Sequence, residues 1–148
     1  MKSTKNPKPT RAGYSVSLML STFVFLLLVG CSSDDDNVTD TSPLFVGNYS
    51  VKDVSDYSGH EYNYEVSITK SGVGTVKISN FADILNVPVT ASVSGMNFTI
   101  APQTFTNPSG KQITVSASGS LQDNVLTFSY TTLGYLDYTG QCQAVRNN

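Results

Sequence analysis

Few side chains in this chain of 148 residues are equipped for covalent chemistry. The single histidine, His60, stands in the stretch Tyr57-Ser58-Gly59-His60-Glu61. A nucleophile–histidine–acid site needs an imidazole held by a buried partner, whereas Gly59 and the charged Glu61 point to an exposed turn. A zinc site needs three or four ordered nitrogen or sulfur ligands; His60 and Cys142 do not supply them, so no metal is expected. Carboxylates are more plentiful. Asp53, Asp56, Glu61 and Glu65 are formally available as the pair that glycoside hydrolysis requires, but such a pair needs fixed spacing in a cleft. These four fall at hairpin ends or on outward strand faces, and strands of about six residues leave little room for both a core and a cleft. No catalytic residue is assigned, and the chain reads as a non-enzyme.

Tyrosine is the more informative residue type, with Tyr49, Tyr57, Tyr62, Tyr64, Tyr130, Tyr135 and Tyr138 all downstream of the leader. A flat apolar ring with a hydroxyl suits sugar rings and protein partners alike. Tyr57, Tyr135 and Tyr138 lie in loops or at strand ends, where recognition residues collect, and are the candidate binding residues. Tyrosine also favours strands for packing reasons alone. That is the better reading of Tyr64 and Tyr130; for Tyr57 and Tyr135 both readings stay open.

The elements that must hold these residues are strands. Tyr62-Asn63-Tyr64-Glu65-Val66-Ser67-Ile68-Thr69 alternates with a period of two, apolar residues at even positions. Ser71 to Gly74 supplies a turn, and Thr75 to Ser79 returns as the second arm of a hairpin. Val87, Val89, Ala91 and Val93 share a face up to Ser94-Gly95. Phe98 and Ile100 form a short strand ended by Pro102, and Ile113, Val115 and Ala117 another. Asp123-Asn124 turns the chain into Val125 to Thr131, with Leu126, Phe128 and Tyr130 inward. Phe45 to Val54 opens the domain and Tyr138 to Val145 closes it. About eight short antiparallel strands result, joined by links too short for parallel crossovers. They form a meander that closes as a small barrel or flattens into a sandwich. Phe81 to Leu85 is the one helical turn, with Asn80 as its cap. Pro88, inside a strand, belongs at an edge or bulge.

This layout resembles a family of small Bacteroidota lipoproteins with lipocalin-like β-domains. The features that carry the resemblance are Gly47-Asn48-Tyr49, Tyr64-Glu65-Val66-Ser67-Ile68, Ile78-Ser79-Asn80-Phe81 and Ile100-Ala101-Pro102-Gln103. Gly119-Ser120-Leu121 to Tyr130, and Cys142 near the end, continue it. The resemblance implies a fold and a location but no settled activity. In such relatives the late cysteine is expected to pair with one near the end of strand one. Val51 to Asp56 holds no cysteine, so that staple is lost here.

The first thirty residues read as a label rather than as fold. Lys2, Lys5, Lys8 and Arg11 precede an apolar stretch, Leu18 to Val29, too short for a membrane-spanning helix of roughly 20 residues. It ends in Leu28-Val29-Gly30-Cys31, which resembles the lipobox of bacterial lipoproteins and implies cleavage before Cys31 and lipid, including palmitate, on that cysteine. A plain signal peptide with a chance cysteine is the competing reading. Ser32, Ser33, Asp34, Asp35 and Asp36 follow at once and resemble the export signal of surface-displayed lipoproteins in flavobacteria. Three aspartates can also be a solvated tether; as a linear run they are a poor calcium cage, which needs six to eight oxygens around a turn. The organisation expected is a signal peptide over 1–30, a lipidated flexible tether over 31–43 and one β-domain over 44–148. Once Cys31 is lipidated, Cys142 has no intramolecular partner. It is either buried and inert or a route to dimers, and its strand-like neighbours favour burial and a monomer.

Beyond residue 30 the chain carries five basic against eleven acidic residues, a net charge of −6. That argues against nucleic acid and anionic lipid headgroups as partners. The expected function is an outer-membrane lipoprotein on the cell surface, or else facing the periplasm. It would hold the membrane by its lipid and bind a glycan or protein through loop residues, with no cofactor beyond the lipid on Cys31. The alternatives are a carrier of a small apolar ligand, a structural subunit of an envelope complex and, last, a weak hydrolase.

Overall fold

Alternation of inward and outward side chains runs through every strand, and the eight strands follow one another around a closed barrel. The structure, a computed structural model, describes residues 39–56 and 58–148. The leader over 1–30, Cys31, the run Ser32 to Asp36 and Tyr57 lie outside the described residues. The strands are β1 (Gly47–Ser55), β2 (Glu61–Gly72), β3 (Thr75–Ser79), β4 (Val89–Ser94), β5 (Asn97–Thr106), β6 (Gln112–Gln122), β7 (Val125–Gly134) and β8 (Tyr138–Arg146). Each pairs antiparallel with its neighbour, and β8 pairs with β1 from Tyr49 opposite Arg146 to Ser55 opposite Gly140. Closure decides between the two architectures: this is an up-and-down barrel, and it leaves no sheet edge unpaired.

The two ends of the barrel differ. At one end are the tight turns after β2, β4 and β6, including Asp123 and Asn124, both left-handed (φ 49° and 66°). That is the type I′ geometry asparagine and aspartate tolerate best. At the other end are the longer links over 56–60, 80–88, 107–111 and 135–137.

The chain enters at the tight-turn end, where a 3-10 turn, Ser42–Phe45, plugs the barrel with Phe45. Asp40 and Ser42, in the last part of the stretch expected as a tether over 31–43, are held in the folded body. Asp40 accepts from the Gly74 amide at 3.0 Å and from the Ser42 hydroxyl at 2.6 Å, and it pairs with Lys70 at 2.5 Å. Lys70 first, then Ser42 and Gly74, hold its carboxyl far below the usual carboxylate range. Ser42 is fully buried, so the folded body begins by Asp40, because these bonds need a fixed partner. Arg146 completes the plug: its Nη2 donates to the Tyr49 hydroxyl at 2.6 Å and to the Leu44 carbonyl.

An aromatic ladder climbs from this plug toward the other end. Phe45 meets Phe98 at 6.4 Å between centroids, Phe98 meets Phe128 at 5.7 Å, and Phe128 meets Phe81 at 6.0 Å. Phe81 meets Tyr130 at 5.5 Å, and Tyr130 meets Tyr138 at 5.8 Å. Most of these pairs are edge-to-face, the arrangement favoured by ring quadrupoles. The interior is therefore filled up to the level of Phe81 and open above it.

Three local expectations are corrected. Strand β5 does not stop at Pro102 but runs to Thr106 through a bulge between Ile100 and Gln103. The bulge absorbs the amide that proline lacks, and the Gln103 side chain bonds both the amide and the carbonyl of Thr90, at 3.0 and 2.7 Å. Pro88 precedes β4 rather than sitting inside it, and Val87 is exposed. Phe81–Asp83 is a 3-10 turn without an asparagine cap: Asn80 is itself left-handed and donates its side-chain amide to the Glu65 carbonyl at 2.8 Å.

Candidate functional site

Strand phase carries an aspartate into the barrel. In β1, Tyr49, Val51, Asp53 and Ser55 point inward, and Asp53 is only 3 % exposed. This overturns the expectation that Asp53 lies on an outward face or hairpin end. The physical reason is the period of two: an inward Tyr49 and Val51 force position 53 inward whatever its polarity. Asp56, Glu61 and Glu65 are exposed as expected, and so is His60.

The neighbouring strands supply Asp53 with its partners. Tyr62 lies opposite it on β2 and Cys142 opposite it on β8. Tyr130, from β7, donates its hydroxyl to Asp53 Oδ2 at 2.6 Å, and Tyr64 donates to the same oxygen at a longer 3.5 Å. The Cys142 thiol meets the Tyr64 hydroxyl at 3.8 Å, and Asp53 Oδ1 is left buried with no protein hydrogen-bond partner. Burial first, then the nearby Cys142 and Asp53, pushes the Tyr64 hydroxyl up. Burial first and the bond to Asp53 second do the same to Tyr130. Both therefore stay protonated donors at neutral pH. Burial, reinforced by Asp53, also raises the Cys142 thiol, which makes it a poor nucleophile. Cys142 is free and buried, as its strand setting predicts.

Above this cluster opens a half-open cavity of about 630 Å³ at the long-loop end of the barrel. Asp53, Tyr64 and Tyr130 form its floor; Tyr62 and Tyr138 rise from the strand ends; Tyr135, Leu136 and Asp137 come from the β7–β8 link. Ala82, Asp83 and Ile84 wall the side facing the 3-10 turn, and Ser55 and Ser58 complete the rim. Of the three tyrosines singled out from sequence, Tyr135 and Tyr138 line this cavity, and Tyr57 lies outside the described residues. Tyr64 and Tyr130 are packed residues, as expected, yet they also face the cavity and hold Asp53. Tyr62 and Asp53 were missed as site residues. The signal for both was the register: an inward Asp53 directly opposite an even-numbered Tyr62.

What the lining offers is three acceptor carboxyls and a set of hydroxyls on an aromatic frame. Three carboxyls, five tyrosine rings and two serines line it, with no lysine, arginine or histidine among them. Tyr64 and Tyr130 spend their donor hydrogens on Asp53, and the Gly134 amide donates to Asp137 Oδ1 at 2.6 Å. The Tyr130 and Tyr138 rings stand at 76°, making a corner rather than a flat wall. Among the described residues no three of His, Cys, Asp or Glu converge in a way that would hold a metal ion. No family model, curated protein or solved structure matches the chain.

Proposed function

We propose that this protein is a non-enzymatic binding module of the bacterial envelope, lipidated at Cys31, that holds a small ligand in the open mouth of its barrel. The observation that carries the reading is the cavity itself: about 630 Å³, within the range of small-molecule sites, with five tyrosines arranged over a buried Asp53. A concave, half-open site suits a compact ligand better than a flat protein surface. The carboxyls suit a ligand bearing hydrogen-bond donors better than a purely apolar one, because burying them against hydrocarbon is costly. The single histidine, on the β1–β2 link, is exposed and does not line the cavity, and the buried thiol is held protonated, which supports binding rather than nucleophilic chemistry.

The anchor and the mouth are compatible. The chain enters the barrel beside Gly72 and Gly74, whereas the cavity opens at the start of β2. The 12 residues of that strand, tilted to the barrel axis, separate the two by roughly 30 Å. The first described residues, Thr39 and Asp40, thus lie at the barrel end away from the mouth. Cells expressing the protein should incorporate labelled palmitate into it, and Cys31→Ser should abolish the label; equal labelling of both would end the lipoprotein reading.

For the mouth, full-length protein in non-ionic detergent is screened against small metabolites and monosaccharides while tyrosine ring resonances are followed. Ligands are expected to shift Tyr62, Tyr64, Tyr130 and Tyr138 together. Tyr62→Ala, at a ring 53 % exposed, should weaken them about fivefold or more without changing stability, in line with removal of one aromatic contact. Hits that shift only residues on the outer barrel face would sink the proposal.

A further inference from the structure

We infer that the ligand held in the mouth is a protonated amine, its ammonium group drawn to the Asp53 carboxyl and the acidic rim and its carbon body lying against the tyrosine rings. The inference rests on the binding reading above and narrows it to one chemical class. Its first support is the orphaned oxygen. Asp53 is buried to 3 % exposure, its Oδ2 is taken by Tyr130 and Tyr64, and Oδ1 has no protein donor although the residue lines the cavity. A buried acceptor left without a donor is costly; Oδ1 is closed to solvent in the free protein, so a ligand N–H removes that cost by drawing the carboxyl toward the cavity.

The second support is the balance of donors and acceptors. A sugar presents hydroxyls that both give and take hydrogen bonds and needs donors from its site. Here the floor tyrosines have turned their hydrogens to Asp53, and no lysine, arginine, histidine, asparagine or glutamine lines the cavity. The three carboxyls accept only, while the hydroxyls of Ser55, Ser58, Tyr62, Tyr135 and Tyr138 can do either, so the charged part of the lining favours a ligand that donates, as an ammonium group does.

The third is the sign of the field and the shape of the frame. Asp83 and Asp137 stand at the rim above Asp53, so every charged lining residue is acidic. A cation within about 6 Å of a tyrosine ring face is attracted by the ring quadrupole, and the perpendicular Tyr130 and Tyr138 rings, 5.8 Å apart, offer a corner for one. The rim already shows this contact from outside: Lys111 Nζ lies 5.9 Å from the Tyr135 ring centroid.

The test uses full-length protein in non-ionic detergent, titrated at neutral pH with n-pentylamine, its neutral counterpart pentan-1-ol, and glucose. Pentylamine is expected to shift the Tyr62, Tyr64, Tyr130 and Tyr138 rings and to bind about tenfold or more tightly than pentan-1-ol. The double variant Asp83→Asn, Asp137→Asn alters only exposed rim groups and keeps the folded floor. It should weaken pentylamine about threefold and leave pentan-1-ol unchanged. Asp53→Asn, where it folds, should abolish the preference for the amine. Equal binding of amine and alcohol, or mouth shifts with glucose and not with pentylamine, overturns the cation assignment while the binding site stands. Equal loss of amine and alcohol in the rim variant overturns it too. Absence of any ring shift with all three probes overturns the assignment; only if the broad metabolite screen is equally silent does the binding reading fall with it.

Discussion

Replacing Gly140 by alanine is expected to lower the stability of the barrel by about 3 kcal/mol and to abolish ligand binding at the mouth. Gly140 lies opposite Tyr130 on β7 and opposite Ser55 on β1, in the inward phase it shares with Cys142 and Ala144. A Cβ there lands on the Tyr130 ring, 2.6 Å from Cζ, and 2.7 Å from Asp53 Oδ1. Neither group can step aside cheaply. The Tyr130 ring is wedged between Phe81 at 5.5 Å and Tyr138 at 5.8 Å, and its hydroxyl is bonded to Asp53. Overpacking by one methyl in a tight core costs about 1–3 kcal/mol; turning the ring away adds the loss of a buried hydrogen bond to a carboxyl, about 1–3 kcal/mol more.

The measurement is chemical or thermal unfolding of the full-length protein in detergent, where a loss of this size in a domain of this length lowers the midpoint by roughly 10–20 °C. Gly72→Ala is the control. Its added Cβ meets nothing nearer than Thr75 Cβ at 3.8 Å, at the opposite end of the barrel, and should leave the midpoint nearly unchanged. If Gly140→Ala unfolds with the wild type and still gives ligand shifts, the contact between Tyr130 and Asp53 does not organise the mouth as described.

Gly140 also illustrates which parts of this molecule a reader of the sequence can recover. Alternation is a property of neighbouring residues, so the strands around Tyr64, Val66 and Ile68, or around Leu126, Phe128 and Tyr130, are legible, and their number and short links imply a meander. Closure follows once the last strand can pair with the first. What alternation alone hides is a polar residue in the inward phase. Asp53 looks exposed by residue type and buried by position, and only the second is physical, because a strand cannot flip one side chain without flipping the rest. Tyr64 and Tyr130 were legible as packed rings but not as hydroxyls aimed at a carboxyl, since that pairing joins β1, β2 and β7 across 77 residues of sequence for its longest contact. Tyr135 and Tyr138 were legible as candidate binding residues because loop position is local. The bulge at Pro102 was not, and the turn after Asn80 was legible in place but not in its left-handed backbone, because both depart from the conformations that their residues prefer and are imposed by packing.

That turn yields the second large effect. Phe81→Ala is expected to cost about 3–5 kcal/mol and to loosen one wall of the mouth. Asn80, Ala82 and Asp83 all adopt left-handed backbone, with φ of 57°, 56° and 54°. Asparagine and aspartate tolerate this region, but for alanine it costs roughly 1–2 kcal/mol, so the segment persists only because something anchors it. Phe81 is the anchor: its ring is 1 % exposed and closes the aromatic ladder between Phe128 and Tyr130. Removing it deletes the ring's own burial, opens a void beneath the cavity and releases the strain that the burial had offset. The bonds from the Asp83 amide to the Asn80 carbonyl, 3.2 Å, and from the Ile84 amide to the Phe81 carbonyl, 3.3 Å, should then exchange their hydrogens as an open loop does. Phe81→Leu keeps an apolar anchor and should retain much of that protection. Because Ala82, Asp83 and Ile84 line the mouth and Phe81 does not, affinity should fall in Phe81→Ala although every lining side chain is unchanged. Unaltered stability together with unaltered exchange at Asp83 and Ile84 would show that the turn is held by its own backbone, and that the wall of the site is not positioned from the core.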